Sequence, residues 1–343
     1  MPERDYQTMT DVMNQTNDGK LIHIGQEFCK ELTFGEECPY TEASDLSRDV
    51  GVFETAYNYG ELTSLTDLDS PVKAKKAGYY KREDLMGMLE AWCKVNKKTF
   101  DANPNGAKLR TRMVDRMLRN MGWDWEFLCL NASIANDPRG FTGLLPRMAN
   151  LTDLDRVGVK DPTVSYSLPC LDAGMSTTGA DGALSSLVMV FFDEDEGVSQ
   201  IYPRGTGQKG IKHESFGFQW QSSADGNIVQ ASDNAIISGG LAVKNSKAAI
   251  RIANINPKDL EGMENLTYAM HDAIRYFKKS DRKRVKIYTT GRVISSFGKY
   301  YGKRVSPARY ADAIPKNTTG DISYDIFTLR ECSSMLETEG IIV

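Results

Sequence analysis

The sequence is poor in the residues from which catalytic and metal sites are usually built. Three histidines occur in 343 residues, His23, His213 and His271, and none falls in an HExxH pattern. There is no Gly-x-Ser-x-Gly elbow to expose a nucleophile and no G-x-x-x-x-G-K-[ST] loop to cradle phosphates. The six cysteines, at positions 29, 38, 93, 129, 170 and 332, are scattered, with no Cys-x-x-Cys and no zinc-like Cys/His spacing. Reduced thiols in a cytosolic compartment are therefore expected. No stretch approaches the roughly 18 consecutive apolar residues of a transmembrane helix. The opening Met1-Pro2-Glu3-Arg4-Asp5 lacks a basic start followed by an apolar core, so it does not read as a secretory signal. Internal repeats and low-complexity tracts are also missing.

What is present looks like an ordinary soluble chain, 41% apolar and 26% charged. Its length exceeds what one hydrophobic core usually organises, so two compact domains, or one with long extensions, are expected. The net charge of −4 hides an uneven distribution. Residues 1–70 hold fifteen acidic and four basic side chains, whereas Lys278 to Arg309 hold eleven basic residues and one acid, Asp281. Such asymmetry fits a nucleic-acid patch, an acidic arm docking on the basic face of a neighbouring copy, or two solvated faces.

The first 70 residues have short apolar clusters among Gly, Asn, Asp and Glu. That composition suits an extended arm that depends on partners for burial. Val52–Asn58 and Leu85–Val95 read as strands, and the stretch between them ends in the basic run from Pro71 to Arg82. Together they suggest an extended hairpin reaching away from the body, since loops this long are rarely inert. After Asn103-Pro104-Asn105-Gly106, apolar residues recur at Leu109, Met113, Met117, Met121, Trp125 and Leu128. This spacing predicts a long amphipathic helix ending near Asn131, with Arg110, Arg112, Asp115, Arg116, Arg119 and Glu126 on its remaining faces.

The middle of the chain reads as β. Leu187–Phe192 suits a buried strand, Asp193–Gly197 a turn, and Val198–Tyr202 the return. Phe216–Trp220 and Asn227–Ala231 flank the Asp-Gly hairpin signal at Asp225-Gly226. Ala235–Val243 and Ala248–Ile255 add two strands. A second helix is expected to open at Asn256-Pro257, with Asn as cap and Pro in the first position. A strand at Val285–Tyr288, a helix at Thr290–Tyr300, and strands at Ile322–Leu329 and Gly340–Val343 complete the pattern.

Gly205-Thr-Gly207-Gln-Lys-Gly210 fits G-x-G-x-x-G, but a dinucleotide site needs a helix to start there, and residues 211–218 have no helical period. A loop is expected. The acidic run Asp193–Glu196 lacks EF-hand spacing and is expected to be an exposed turn. His271 beside Asp272 suits a surface or packing role. Aromatic residues interleave with the bases of 278–309, yet at positions that also serve helix and strand cores.

The ordered set of segments then adds more than any one of them. Gly87–Val95, the long helix, and Phe141-Thr-Gly-Leu-Leu-Pro-Arg147 resemble the major capsid proteins of short-tailed phages. The resemblance continues through Asp172–Gly174, Ser185–Phe192, Ile201–Gly205, Gly239–Val243, Arg251–Ile255, and Arg330 to Val343, covering about residues 75–343. It implies an α+β fold of the Hong Kong 97 type. On that basis residues 1–48 would be an N-terminal arm and 49–95 the E-loop. Residues 96–165 and 206–256 would form the peripheral (P) domain, with its spine helix at about 107–130. Residues 166–205 and 257–343 would form the axial (A) domain.

The resemblance also implies a shell subunit, not an enzyme, with no catalytic, cofactor or metal residues. Its partners would be its own copies in hexamers and pentamers, with portal, scaffolding and decoration proteins. Packaged DNA would be met only non-specifically and membranes not at all. The place would be the virion capsid, assembled in the host bacterial cytoplasm. No trio of lysine, asparagine and glutamate is singled out, so no covalent crosslink is expected. The rival expectations are an encapsulin-type nanocompartment shell and, further off, a nucleotide-binding enzyme using Gly205–Gly210.

Overall fold

The computed structural model describes residues 32–43, 50–57, 78–102, 104–152, 168–177, 182–204, 210–223, 226–245, 247–304, 322–324 and 327–343. Much of the expected arm, His23, Cys29, the tip of the hairpin, most of Gly205–Gly210, and the end of the basic segment lie outside these residues. In chain order the elements begin with a short helix α1 (Phe34–Glu37) and strands β1 (Tyr40–Glu42), β2 (Val50–Tyr57), β3 (Gly78–Leu85) and β4 (Gly87–Asn96). Helices α2 (Lys97–Ala102) and α3 (Gly106–Asn131) come next, then a 3₁₀ turn at Leu145–Met148. After these lie β5 (Cys170–Asp172), β6 (Ser185–Phe191), β7 (Val198–Tyr202), β8 (Ile211–Ser223), β9 (Gly226–Val243) and β10 (Ala249–Ile255). The chain closes with α4 (Met263–Tyr276), β11 (Val285–Thr289), α5 (Gly291–Arg304), β12 (Ile322–Tyr324) and β13 (Phe327–Glu331).

Among the described residues three sheets result. One has five strands, in the order β1-β7-β9-β4 with β8 also on β9; another has six, ordered β12-β13-β11-β6-β10-β5; β2 and β3 form a two-stranded ribbon. β9 organises the first. Its 18 residues pair with β4 and β8 along most of their length and with β7 at the end. The Asp-Gly signal does yield a hairpin, with Ser223 opposite Gly226. The two strands expected at 227–231 and 235–243 are this one continuous strand, because residues 231–235 stay paired with both β4 and β8 and Asp233, the charge between them, is neutralised by Arg110.

The apolar run 185–191 is buried along its whole length, since both of its faces are covered. Alternate side chains enter different cores. Val188 and Val190 join Trp125, Leu118 and Leu144 beneath α3, while Leu187, Met189 and Phe191 pack against Met270 of α4 and Phe297 of α5. Both helices lie on that second face, and α3 serves the first.

The structure corrects several expectations. Residues 198–202 do not return along β6; after the acidic turn they cross to the other sheet and pair with β9 and β1. The hairpin's second strand is 78–85, not 85–95, and β4 instead joins β9 in the body. The helix expected from Asn256 starts only at Met263. The Asn256 side chain accepts from the Lys258 N–H (3.1 Å) and so closes a turn, and Asp259 then accepts from the Gly262 N–H (3.0 Å) at the true helix start. Residues 322–331 form two short strands rather than one. Gly340–Val343 is not a strand, because the side chain of Asn254 takes up both the N–H and the C=O of Ile342 (each 2.9 Å). Residues 32–43 are not an arm waiting for a partner: Phe34, Cys38 and Tyr40 are buried in the core of their own chain.

Candidate functional site

The ribbon β2–β3 runs into the body at the end of β3. Only Met86 separates β3 from β4, so the chain leaves the ribbon and enters the five-stranded sheet within a single residue. Met86 packs on Ala43, Ile201 and Ala242. Beside it the buried carboxylate of Asp84 accepts from Arg147 (2.8 Å) and, through its other oxygen, from the Val243 N–H (3.3 Å). Arg147 also donates to the carbonyls of Thr142 (2.8 Å), Gly143 (3.2 Å) and Leu241 (3.1 Å). A guanidinium fork engaged on so many sides fixes the angle at which the ribbon departs.

This explains the segment Phe141–Arg147 physically. Phe141, Leu144 and Leu145 fill the core under α3, and Pro146 opens the 3₁₀ turn. Gly143 lies so close to the end of α3 that an added Cβ would sit 2.7 Å from the Leu128 carbonyl. Its N–H meets the Ala132 carbonyl at 2.7 Å and so helps close the helix terminus.

A second anchor ties both ends of the described chain to α3. Glu126 is 1% exposed. It accepts from the N–H groups of Thr33 (3.0 Å) and Gly35 (2.9 Å), from Ser334 Oγ (3.0 Å) and from Cys332 Sγ (3.4 Å). Sequence reasoning placed Glu126 on the polar faces of the helix; its position between buried Trp125 and Cys129 was the available sign. Arg251 and Glu339 form a third buried pair (2.9 Å), with Arg251 also donating to Ser186 Oγ and the Met148 carbonyl.

The basic segment folds partly on its own chain. Arg284 meets Asp193 (3.2 Å), Lys278 meets Glu196, and Lys286 and Arg330 approach Glu37. The acidic turn 193–196 is therefore an intramolecular ion-pair site as well as a turn. Among the described residues no group of His, Cys, Asp and Glu is placed to hold a metal ion. No described helix is long and apolar enough to cross a membrane. The five described cysteines are free and buried. Burial pushes the thiols of Cys38, Cys129 and Cys332 far up, and that of Cys170 to about 11, so they are not poised as nucleophiles.

A cleft of about 380 Å³ opens where the start of α3 meets β8 and β9. Its polar centre is Arg110, which is already bonded to both oxygens of Asp233 (2.8 and 2.9 Å), to Ser215 Oγ and to the Phe216 carbonyl. That saturated pair offers no proton-transfer group. His213 lies on β8 and His271 on α4, and the two are not brought together with a nucleophile. Gly210, with φ +80°, leads into strand β8 and not into a helix, so the glycine motif lacks the element a dinucleotide needs.

The chain does display apolar surface. Met88, Trp92, Trp123, Phe127 and Trp220 are between 44% and 77% exposed. Side chains of this kind concentrate at protein–protein contacts.

Comparison with known proteins points the same way. No curated protein sequence matches the chain. Among solved structures, a chain of Bacteriophage Epsilon15 matches at 15% identity and TM-score 0.52, covering 99% of this chain and 98% of that one. The Bacteriophage JBD30 capsid matches at 11% identity and TM-score 0.47 (82% and 86% covered), and the holo-SrpI encapsulin complex of Synechococcus elongatus at 13% and 0.40 (64% and 85%). The Epsilon15 likeness speaks to fold, and it agrees with the α+β capsid fold of the Hong Kong 97 type. The family model of the major capsid protein GP7 matches residues 55–343. The chain belongs to the major capsid protein GP7 family, whose members are structural shell subunits that associate with copies of themselves.

Proposed function

We propose that this subunit builds hexamers and pentamers of an icosahedral phage head, and that the ribbon β2–β3 is the element that reaches across a neighbouring copy. The observation that carries this reading is the ribbon itself. It has two strands, no third described strand pairs with either, and its base is clamped by Asp84 and Arg147. An isolated two-stranded hairpin is marginal in water. A rigid base and a pair of strands joined by no third described strand suit an element completed by another molecule.

On this reading the arm is confined to residues 1–31 and the E-loop to 50–85, since 32–43 and 87–96 belong to the body. Residues 96–165 and 206–256, with α3 as spine, are the P-domain; 166–205 and 257–343 are the A-domain. β10 pairs with β6 and stitches the two domains together. The head encloses double-stranded DNA, which it contacts non-specifically. Portal, scaffolding and decoration proteins are its further partners, assembly takes place in the host cytoplasm, and the subunit performs no catalysis.

Electron microscopy of the purified, overexpressed chain tests the proposal. Closed particles or rings of five and six subunits are expected. A protein that stays strictly monomeric, both alone and beside the other head proteins of its source, contradicts it. Mature particles boiled in denaturant should run as a single monomer band, and a ladder of multimers would refute the absence of crosslinks.

A further inference from the structure

Positive charge gathers on α2 and the first half of α3, against the sign of the chain. Residues 97–119 hold seven basic residues and two acids, while the whole chain carries −4. Arg110 turns toward the sheet, where Asp233 neutralises it. Lys97, Lys98, Lys108, Arg112 and Arg116 are all exposed, and none pairs with a carboxylate of the described residues. At spacings of four, four and three residues, Lys108, Arg112, Arg116 and Arg119 share one line of α3, away from the buried Leu118, Met121 and Trp125. At 1.5 Å per residue that line is roughly 16 Å long.

Helix stability does not account for the row. A helix N-terminus favours negative charge, yet the first turns of α3 carry Lys108, Arg110 and Arg112 and no acid. Like charges four residues apart also repel each other. Both costs fall on the free subunit and are relieved when an anion covers the row.

The pattern favours a polyanion over a protein segment. A protein segment brings mixed side chains, whereas this line stays basic until Trp123, with Asp115 only at its flank. A nucleic-acid backbone brings one sign of charge at short, regular intervals. Duplex DNA carries one negative charge per about 1.7 Å of axis, so a row of this length faces several phosphates at once. The guanidinium fork suits phosphate oxygens.

The basic segment that begins at Lys278 is a poorer seat, because its own chain uses it up. Lys278 meets Glu196, Arg284 meets Asp193, and Arg282 donates to the carbonyls of Phe277 and Arg275. Within residues 278–284 that leaves Lys279 and Lys283 exposed.

We propose that the row Lys108, Arg112 and Arg116, with Lys97 and Lys98 beside it, is the seat of the phosphate backbone of packaged double-stranded DNA. This deepens the reading of the subunit as the shell of a phage head and rests on it.

Fluorescence anisotropy with a labelled mixed-sequence duplex tests the seat on the unassembled chain. K108Q/R112Q/R116Q should weaken binding by about tenfold or more at low salt and flatten the slope of log affinity against log salt by roughly 2 to 3. K279Q/K283Q should keep the parental affinity and slope. Thermal midpoints of all three chains should agree, since the replaced side chains are exposed. In particles, an amine-reactive label should modify Lys108 more slowly in DNA-filled than in empty heads, and Lys279 equally in both. A parent that binds no duplex, a triple variant that keeps the parental slope, an equal loss from K279Q/K283Q, or equal labelling of Lys108 in both kinds of head overturns the seat while leaving the shell reading intact. A chain that binds duplex through these residues yet forms no rings or particles, alone or beside the other head proteins of its source, overturns the shell reading instead.

Discussion

The six-stranded sheet and the β2–β3 ribbon come from the same chain and obey opposite logics. β6 and β10 are buried at every residue, each face covered by helices, strands or loops of the same molecule. Among the described residues the ribbon has its own two strands and a clamp at one end. Burial within the chain therefore stabilises the first region, whereas on the proposed reading the second keeps its pairing edges for another molecule. The proposed function would use both: a rigid body that defines shape, and a projection whose stability depends on its neighbours.

If that contrast is right, changes in the closed region should act on the monomer. The largest effect is expected at Arg251, whose replacement by alanine leaves Glu339 buried without its cation and should cost roughly 3–5 kcal/mol. The shift of the urea unfolding midpoint measures it, and a change below about 1 kcal/mol would mean that the pair is solvated in solution. Leu187→Ala should come next at about 2–5 kcal/mol, since β6 has no slack to refill the cavity.

Alkaline pH gives a third, smaller effect. Burial raises the Cys170 thiol from 9.0 to about 11, so the neutral form is favoured in the fold. That contribution is intact below pH 9 and is lost as pH rises through 11. Cys170→Ala should therefore lose less stability than the parent across that window, by roughly 2 kcal/mol. Equal slopes for the two chains would show that Cys170 is reached by solvent.

The smallest effect belongs to the open surface. Met88, 67% exposed, should tolerate serine with a change in monomer stability within roughly 0.5 kcal/mol. A cost near that of Leu187→Ala would erase the distinction between the regions.

Elements with one dominant period were legible in the sequence. The stripe from Leu109 to Leu128 marked α3 almost to the residue, and the apolar run at 187–192 marked β6. What stayed hidden was set by single polar contacts and by pairing across long separations. Asn256 carries the signature of a helix cap and spends its carbonyl on a turn instead. Nothing local says that β4 pairs with β9 and not with β2, because both partners offer alternating strands. Glu126 looked like surface because a lone carboxylate on a helix usually is. Only the distant N–H groups of Thr33 and Gly35 make it a core residue. The expectation of a subunit without catalytic machinery came from the poverty of motifs together with resemblance, and family membership agrees with it.

Amide hydrogen exchange on the purified chain before and after it forms particles tests the dependence of the ribbon on its neighbours most directly. The outward-facing amides of 50–57 and 78–85 should exchange quickly in the free subunit and slow by about a hundredfold or more on assembly, while β6 and β10 stay slow in both. Full protection of those segments in the free subunit, or unchanged fast exchange within the particle, would contradict the account.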